Sequence, residues 1–307
     1  MRLVGVEFRS RRIPKGGAPA VLLVEGSGKA PDSGLAEDFP FYQLGRALAG
    51  DGFYVLTFNK RGSGLNGRNG SFYRSSFWTD NKDAQAALDF VKSLKHVAAD
   101  RIFLLGQSMG GVHITYLAQK NKVAGNIYFA SAFKDFKETL RQQNRDVLGL
   151  LGRPRKEINT ELGKLRKLLK AIESGTFRKA DYPDACQRLD GANVIDGVQE
   201  KYFRDVLRID NACETAKLGI PLLIMQGTAD FIINLDDLKA VKLALKKAGK
   251  KNARLKVLAG VDHIFSDQAD KAASFRYMSR VKKTRKFKPV SGKILSEVRK
   301  FLADNSG

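Results

Sequence analysis

Six short apolar runs recur along the chain: Ala20–Val24, Tyr54–Phe58, Ile102–Leu105, Asn126–Phe129, Leu222–Met225 and Leu255–Leu258. Each is too short for a helix and most are apolar at neighbouring positions. A strand apolar on both faces needs cover on both, a condition met by a parallel sheet between two layers of helices. The cover lies in the intervening sequence, where helical patterns run over Phe41–Gly50, Thr79–Leu94, Gly111–Ala118, Leu235–Ala248 and Ser291–Ala303. This alternation predicts an α/β fold with a mostly parallel, doubly wound sheet.

One stretch breaks the rhythm. Residues 132–217 hold no convincing strand and several charged helical patterns, Lys134–Leu148, Ile158–Glu173 and Gly197–Leu207. They predict a helical cap inserted into a core made of residues 1–131 and 218–307. Placed between two strands at their carboxyl ends, such a cap lies over the edge where sheets of this type bind ligands.

The chemistry is concentrated where the run Ile102–Leu105 passes into Gly106-Gln107-Ser108-Met109-Gly110-Gly111 and then into a helix. Gly-x-Ser-x-Gly between strand and helix is the sequence of a nucleophile elbow. The serine sits on a strained turn, glycines on either side make room for neighbouring backbone, and the helix N-terminus offers unpaired N–H groups. Ser108 is the expected nucleophile, and the Met109 N–H an expected donor to a developing oxyanion. A serine hydroxyl is a poor nucleophile unless a base takes its proton and an acid holds that base.

The chain has three histidines. His96 ends a helical pattern and reads as a surface residue, while His113 lies on the helix beyond the elbow, more than a turn from Ser108. His263 follows the run Leu255–Leu258 and a short turn, the strand-end loop expected of a base. Between serine and histidine in chain order, Pro221–Asp230 places Asp230 just past another strand end. Asp236 and Asp237 read as helix N-terminal charges, and Asp262 adjoins the histidine too directly. Asp230 is therefore the expected acid. The glycine-rich turn Glu25-Gly26-Ser27-Gly28 after the first run supplies a second oxyanion donor, the Ser27 N–H. It lacks the endings that mark phosphate-binding loops.

The composition narrows the remaining classes. Over 307 residues, 43% are hydrophobic, enough for a large core, and no run approaches the roughly 20 apolar residues needed to span a bilayer. The start, Met1–Glu7, lacks the apolar core of a signal peptide, and the expected setting is cytoplasmic. Cys186 and Cys213 stand in no metal-binding or disulfide pattern and are expected to be reduced thiols. No metal or organic cofactor is expected. The charge is unusual: 54 Lys and Arg against 32 Asp and Glu give +22. Residues 218–307 carry 19 basic and 8 acidic side chains, whereas the expected cap, with 18 and 14, is nearly balanced. Nucleic acid and anionic membranes are partners such a charge raises. With no RNA-binding or helix-turn-helix signature beside it, a solvated basic face is the preferred reading.

Taken in order, Glu25-Gly-Ser-Gly28, Asn59-Lys-Arg61-Gly62-Ser-Gly64, Gly106–Gly111, Gly227-Thr-Ala-Asp230 and Val261-Asp-His263-Ile-Phe265 resemble the α/β-hydrolase superfamily across nearly the whole chain. They look most like its esterase and serine-aminopeptidase-like branches, near dienelactone-hydrolase-type esterases. The resemblance implies an α/β-hydrolase fold and makes the cap a lid. Two departures stand out: Glu25 replaces the histidine that usually begins the oxyanion loop, and Asn59 replaces the usual acid before Lys-Arg-Gly. The first bears on specificity and the second on loop packing.

The expected activity is cleavage of a small carboxylic ester through an acyl-enzyme on Ser108. Thioester hydrolysis and acyl transfer use the same three residues and stay open. So does a non-catalytic hydrolase-fold binding protein with a polyanion-contacting basic face. The lid leucines, among them Leu140, Leu148, Leu150, Leu151, Leu168 and Leu169, read as helix core rather than acyl-chain cover. The sequence assigns no oligomeric state.

Overall fold

The computed structural model describes residues 3–11, 13–29, 37–189, 192–195 and 198–306. The chain runs through β1 (Gly5–Phe8), β2 (Ala18–Val24), α1 (Pro40–Gly50), β3 (Tyr54–Phe58), α2 (Phe77–Ser93), β4 (Val97–Gln107), α3 (Met109–Lys120) and β5 (Gly125–Phe129). The segment expected to form the cap follows, with α4 (Phe136–Leu150), α5 (Arg155–Ser174), β6 (Cys186–Leu189), β7 (Ala192–Ile195), β8 (Val198–Gln199) and α6 (Glu200–Val206). The core resumes with α7 (Asn211–Ala216), β9 (Leu222–Gly227), α8 (Leu235–Lys247), β10 (Ala253–Leu258), α9 (Lys271–Thr284) and α10 (Gly292–Asn305).

Among the described residues the main sheet has seven strands in the order β1-β3-β2-β4-β5-β9-β10. All neighbours are parallel except β1, which pairs antiparallel with β3 at one edge. This is the α/β-hydrolase fold. The predicted two-sided burial is visible residue by residue. On β4, Ile102 and Leu104 belong to the core cluster that includes Leu88 of α2, Leu117 of α3 and Val241 of α8, while Phe103 and Leu105 belong to the one that includes Leu48 of α1 and Val298 of α10. Successive strand side chains point to opposite faces, so consecutive apolar residues feed both helical layers.

Three findings depart from the sequence reading. The edge strand β1 was not expected, and neither was α9, whose apolar residues Tyr277 and Val281 form a narrow stripe among Arg and Lys. The cap, expected to be strand-free, contains the antiparallel sheet β6-β7-β8. Residues 190–191 and 196–197, between these strands, lie outside the described residues. At the far end of the expected cap, Ala212 and Ala216 of α7 join the core cluster beneath the sheet. The cap has a core of its own, where Leu168, Leu169 and Ile172 of α5 meet Ile195, Phe203 and Leu207. Leu168 and Leu169 thus fill helix packing, as expected.

Several C-terminal basic residues have acidic partners: Arg254 with Asp304, Lys256 with Glu297, Lys271 with Asp146 and Lys293 with Asp267. No helix among the described residues is long and apolar enough to cross a membrane, and no His, Cys, Asp and Glu cluster suits a metal ion. Cys213 is free and exposed.

Candidate active site

Ser108 joins β4 to α3 with φ 54° and ψ −123°, a conformation in which a residue with a side chain is strained. Neighbouring backbone leaves no room for alternatives. A Cβ on Gly110 would come within 2.0 Å of the Val24 carbonyl oxygen, so only glycine lets α3 start this close to β2. The elbow is held from below by the Ser108 N–H, which donates to the Phe129 carbonyl at 3.0 Å.

His263 and Asp230 meet as expected. His263 Nδ1 donates to Asp230 Oδ2 at 2.9 Å, with both side chains buried. Asp230 is itself fixed on three sides. Its Oδ1 accepts the N–H groups of Ile232 and Ile233 at 2.7 and 3.0 Å, and its Oδ2 accepts from Gln226 Nε2 at 3.1 Å. The competing carboxylates have other work. Asp262 braces the His263 loop by accepting from the Ile264 and Ser266 N–H groups and the Ser266 hydroxyl. Asp237 stands in the first turn of α8, as expected, and is buried there, accepting the Phe133 and Lys134 N–H groups. Ser108 and His263 are brought to the same edge of the sheet, bridged by Gln107: its Nε2 donates to the His263 carbonyl at 3.1 Å. Among the described residues the Ser108 hydroxyl makes no hydrogen bond with His263, a bond that often closes only with substrate in place.

The Glu25–Gly28 turn lies against the elbow. A Cβ on Gly26 would stand 2.7 Å from Ser108 Cβ, and the Gly26 N–H donates to Gln107 Oε1 at 3.3 Å. Among the described residues neither the Met109 nor the Ser27 N–H has a protein acceptor, which leaves two donors for an incoming oxygen. Beside them opens a cavity of about 160 Å³ whose lining includes Glu25, Ser27, Phe39, Phe41, Ile264 and Phe287. Tyr202 and Val206 of α6 share a hydrophobic cluster with Met109, Val112 and Phe77. A larger open groove near the β1 edge, lined by Arg9, Arg46 and Asp51, contains none of these residues.

The other two histidines are structural. His113 is buried, stacked on Phe77 at 4.3 Å with both ring nitrogens unpartnered, and burial pushes it down to about 3, with the Lys60 charge acting in the same direction. His96 is half-buried against Tyr54 rather than fully on the surface. The unfolded chain binds the His113 proton near pH 6.5 and the folded chain only near 3, so His113 favours folding above 6.5. That contribution is lost as pH falls through this window, at up to roughly 1.4 kcal/mol per pH unit. His113→Leu is expected to flatten the acid limb of stability, measured by urea unfolding at pH 4, 5, 6 and 7. An unchanged slope would assign the acid limb to other groups.

The family model described as serine aminopeptidase, S33, matches residues 33–268. The chain belongs to this family. Among relatives of the S33 chain, esterase EstD of Thermotoga maritima is 26% identical over 279 residues, which cover 87% of this chain and 60% of EstD. The structure of Est1E from Butyrivibrio proteoclasticus with ferulic acid superposes with TM-score 0.57 at 16% identity, covering 92% of this chain and 96% of that one. The Pyrococcus furiosus esterase superposes with TM-score 0.58 at 16% identity, covering 100% and 91%.

Within this S33 chain, sequence reasoning passed over two residues that shape the site. Gln107 was read only as the variable position of Gly-x-Ser-x-Gly, yet it ties the Gly26 turn to the His263 loop. Lys60 enters the sequence analysis only within the motif Asn59–Gly64, yet it is buried behind the Gly26–Gly28 turn and donates to its carbonyls. Both contacts join residues far apart in sequence, and no local pattern encodes them. Asn59 does pack its loop, accepting the Leu65 N–H at 3.2 Å. Glu25 lines the cavity, where burial pushes its carboxyl up to about 7 against the opposing effect of Lys60.

Proposed function

We propose that this chain is a serine esterase that cleaves small carboxylic esters through an acyl-enzyme on Ser108. The observation that carries the reading is the buried Asp230–His263 hydrogen bond beside a strained serine flanked by two N–H groups that have no acceptor among the described residues. His263 Nε2 takes the Ser108 proton as the serine oxygen adds to the ester carbonyl. Asp230 holds the Nδ1–H tautomer and offsets the imidazolium charge. The Met109 and Ser27 N–H groups hold the oxyanion. The intermediate collapses, the alcohol leaves with the proton from His263, and water repeats the sequence to release the acid and restore the serine.

A cavity of about 160 Å³ with phenylalanine walls suits a short acyl chain or a single ring better than a long lipid. The relative EstD, named an esterase, supports the same reaction class. An aminopeptidase would need a free carboxylate to hold the substrate amine. Glu25 is the carboxylate of the cavity lining, and burial pushes it toward its neutral form, so ester cleavage is preferred.

Intact-mass measurement after incubation with a small fluorophosphonate tests the reading. One adduct is expected on the wild type and none on Ser108→Ala. A panel of p-nitrophenyl esters, thioesters, aminoacyl anilides and competing alcohol acceptors then fixes leaving group and acceptor. A folded wild type that takes no adduct would instead favour a non-catalytic binding protein.

A further inference from the structure

The side of the oxyanion turn away from Ser108 is occupied by a buried cation. Lys60 is only 6% exposed, and its Nζ donates to the carbonyl oxygens of Gly26 and Gly28, the latter at 3.0 Å. These two carbonyls flank Ser27. The Gly26 carbonyl belongs to the same peptide group as the Ser27 N–H, and in a trans peptide the two point in opposite directions. A donor held on the carbonyl therefore sets the direction of the N–H. It also draws electron density from the amide and makes that N–H a stronger donor.

We propose that Lys60 is the positioning residue of the oxyanion hole, fixing the Gly26–Ser27 peptide plane and polarising the Ser27 N–H toward the charge that develops on the substrate oxygen. The inference rests on the assignment of Ser27 as an oxyanion donor. It gives a use to a lysine that stands where burial works against its charged form. Burying an ammonium is costly unless acceptors and counter-charge surround it. Here the acceptors are the two turn carbonyls, and Asp80 and Glu25 supply the counter-charge. Asp80 is in turn held by the Ser75 hydroxyl. The pair of carbonyls is a demanding ligand set, because it forms only when Gly26, Ser27 and Gly28 adopt one backbone path. Neutral packing behind the turn would support its shape but add no field at the oxyanion. Lys60 supplies both.

The test compares a ligand that makes an oxyanion with one that does not. A benzyl trifluoromethyl ketone adds reversibly to an active-site serine and leaves an oxyanion, whereas its methyl ketone counterpart binds largely as the unreacted carbonyl. In Lys60→Met, kcat for p-nitrophenyl acetate is expected to fall roughly 10- to 100-fold, less than the loss of a whole oxyanion donor, with KM within about threefold. Affinity for the trifluoromethyl ketone should fall by a similar factor and affinity for the methyl ketone should hold. Should the single variant fail to fold with Asp80 left unpaired, Lys60→Met/Asp80→Asn removes both charges and is read the same way. A folded variant with unchanged kcat and unchanged trifluoromethyl ketone affinity overturns the proposal. Equal losses for both ketones also overturn it, since they mark a purely structural role. If Ser108→Ala keeps its turnover, the esterase reading fails instead, which separates the two claims.

Discussion

Alanine at position 108 is expected to lower turnover of p-nitrophenyl acetate by roughly 10⁴- to 10⁶-fold with the fold intact. The argument for an intact fold is local. Alanine keeps the Cβ, so the backbone at φ 54° is no more strained than with serine. The Ser108 hydroxyl caps no helix N–H, and the elbow is held by backbone, through the Ser108 N–H to the Phe129 carbonyl. The unfolding midpoint should therefore move by no more than about 2 °C. The argument for lost turnover is chemical, because without the oxygen no acyl-enzyme forms and only binding and the two oxyanion donors remain. Steady-state turnover with a thermal melt on the same sample checks both halves. Retention of more than about a tenth of the rate would place the nucleophile elsewhere.

Asp230→Asn is expected to cost roughly 10⁴-fold in kcat, for a reason specific to this site. The carboxylate is not free to rotate. Its Oδ1 receives two backbone N–H groups, from Ile232 and Ile233, and no amide NH2 can replace an acceptor there. The asparagine oxygen must take that position, which turns the NH2 toward His263 Nδ1. Histidine must then accept at Nδ1 and carry its proton at Nε2, the nitrogen that has to receive the proton of Ser108. Gln226 Nε2, which now donates to Oδ2, would meet a second donor, so a stability loss of about 1–3 kcal/mol should accompany the kinetic one. Turnover and urea unfolding of the variant give the two numbers separately. Near-normal kcat in a folded Asp230→Asn would exclude Asp230 as the residue orienting His263.

Much of the fold could be read from local pattern. The six apolar runs all fall in strands of the main sheet, although β4 begins five residues before its run, and the five core helical patterns are all helices with ends displaced by at most two residues. That success has a simple origin, because a strand or helix that must bury particular faces writes its period directly into neighbouring residues. The elements missed are those whose burial is partial. Strand β1 exposes half its short length at a sheet edge, and α9 buries a stripe too narrow to stand out among its basic residues. In the cap, β6, β7 and β8 are two to four residues long and carry no alternating apolar signal. The basic charge was legible as a number and a place in the chain; that Arg254, Lys256, Lys271 and Lys293 face acids from other elements required the fold.

The site divides along the same physical line. Ser108, Asp230 and His263 each stand beside a strand end and a glycine turn, so their chemistry and their position at the sheet edge follow from contiguous sequence. Which acid meets the histidine was settled by geometry. Asp230, Asp236, Asp237 and Asp262 all lie near strand ends, but the loops aim Asp230 alone among them at Nδ1 and spend Asp237 and Asp262 on backbone N–H groups. The roles of Gln107 and Lys60 were beyond any local reading. Each acts on Gly26 across 81 and 34 residues of chain, contacts that exist only once β2, β3 and β4 lie side by side. Periodicity is a property of neighbours in sequence and fixes elements; hydrogen-bond direction depends on neighbours in space, and only the assembled sheet supplies those.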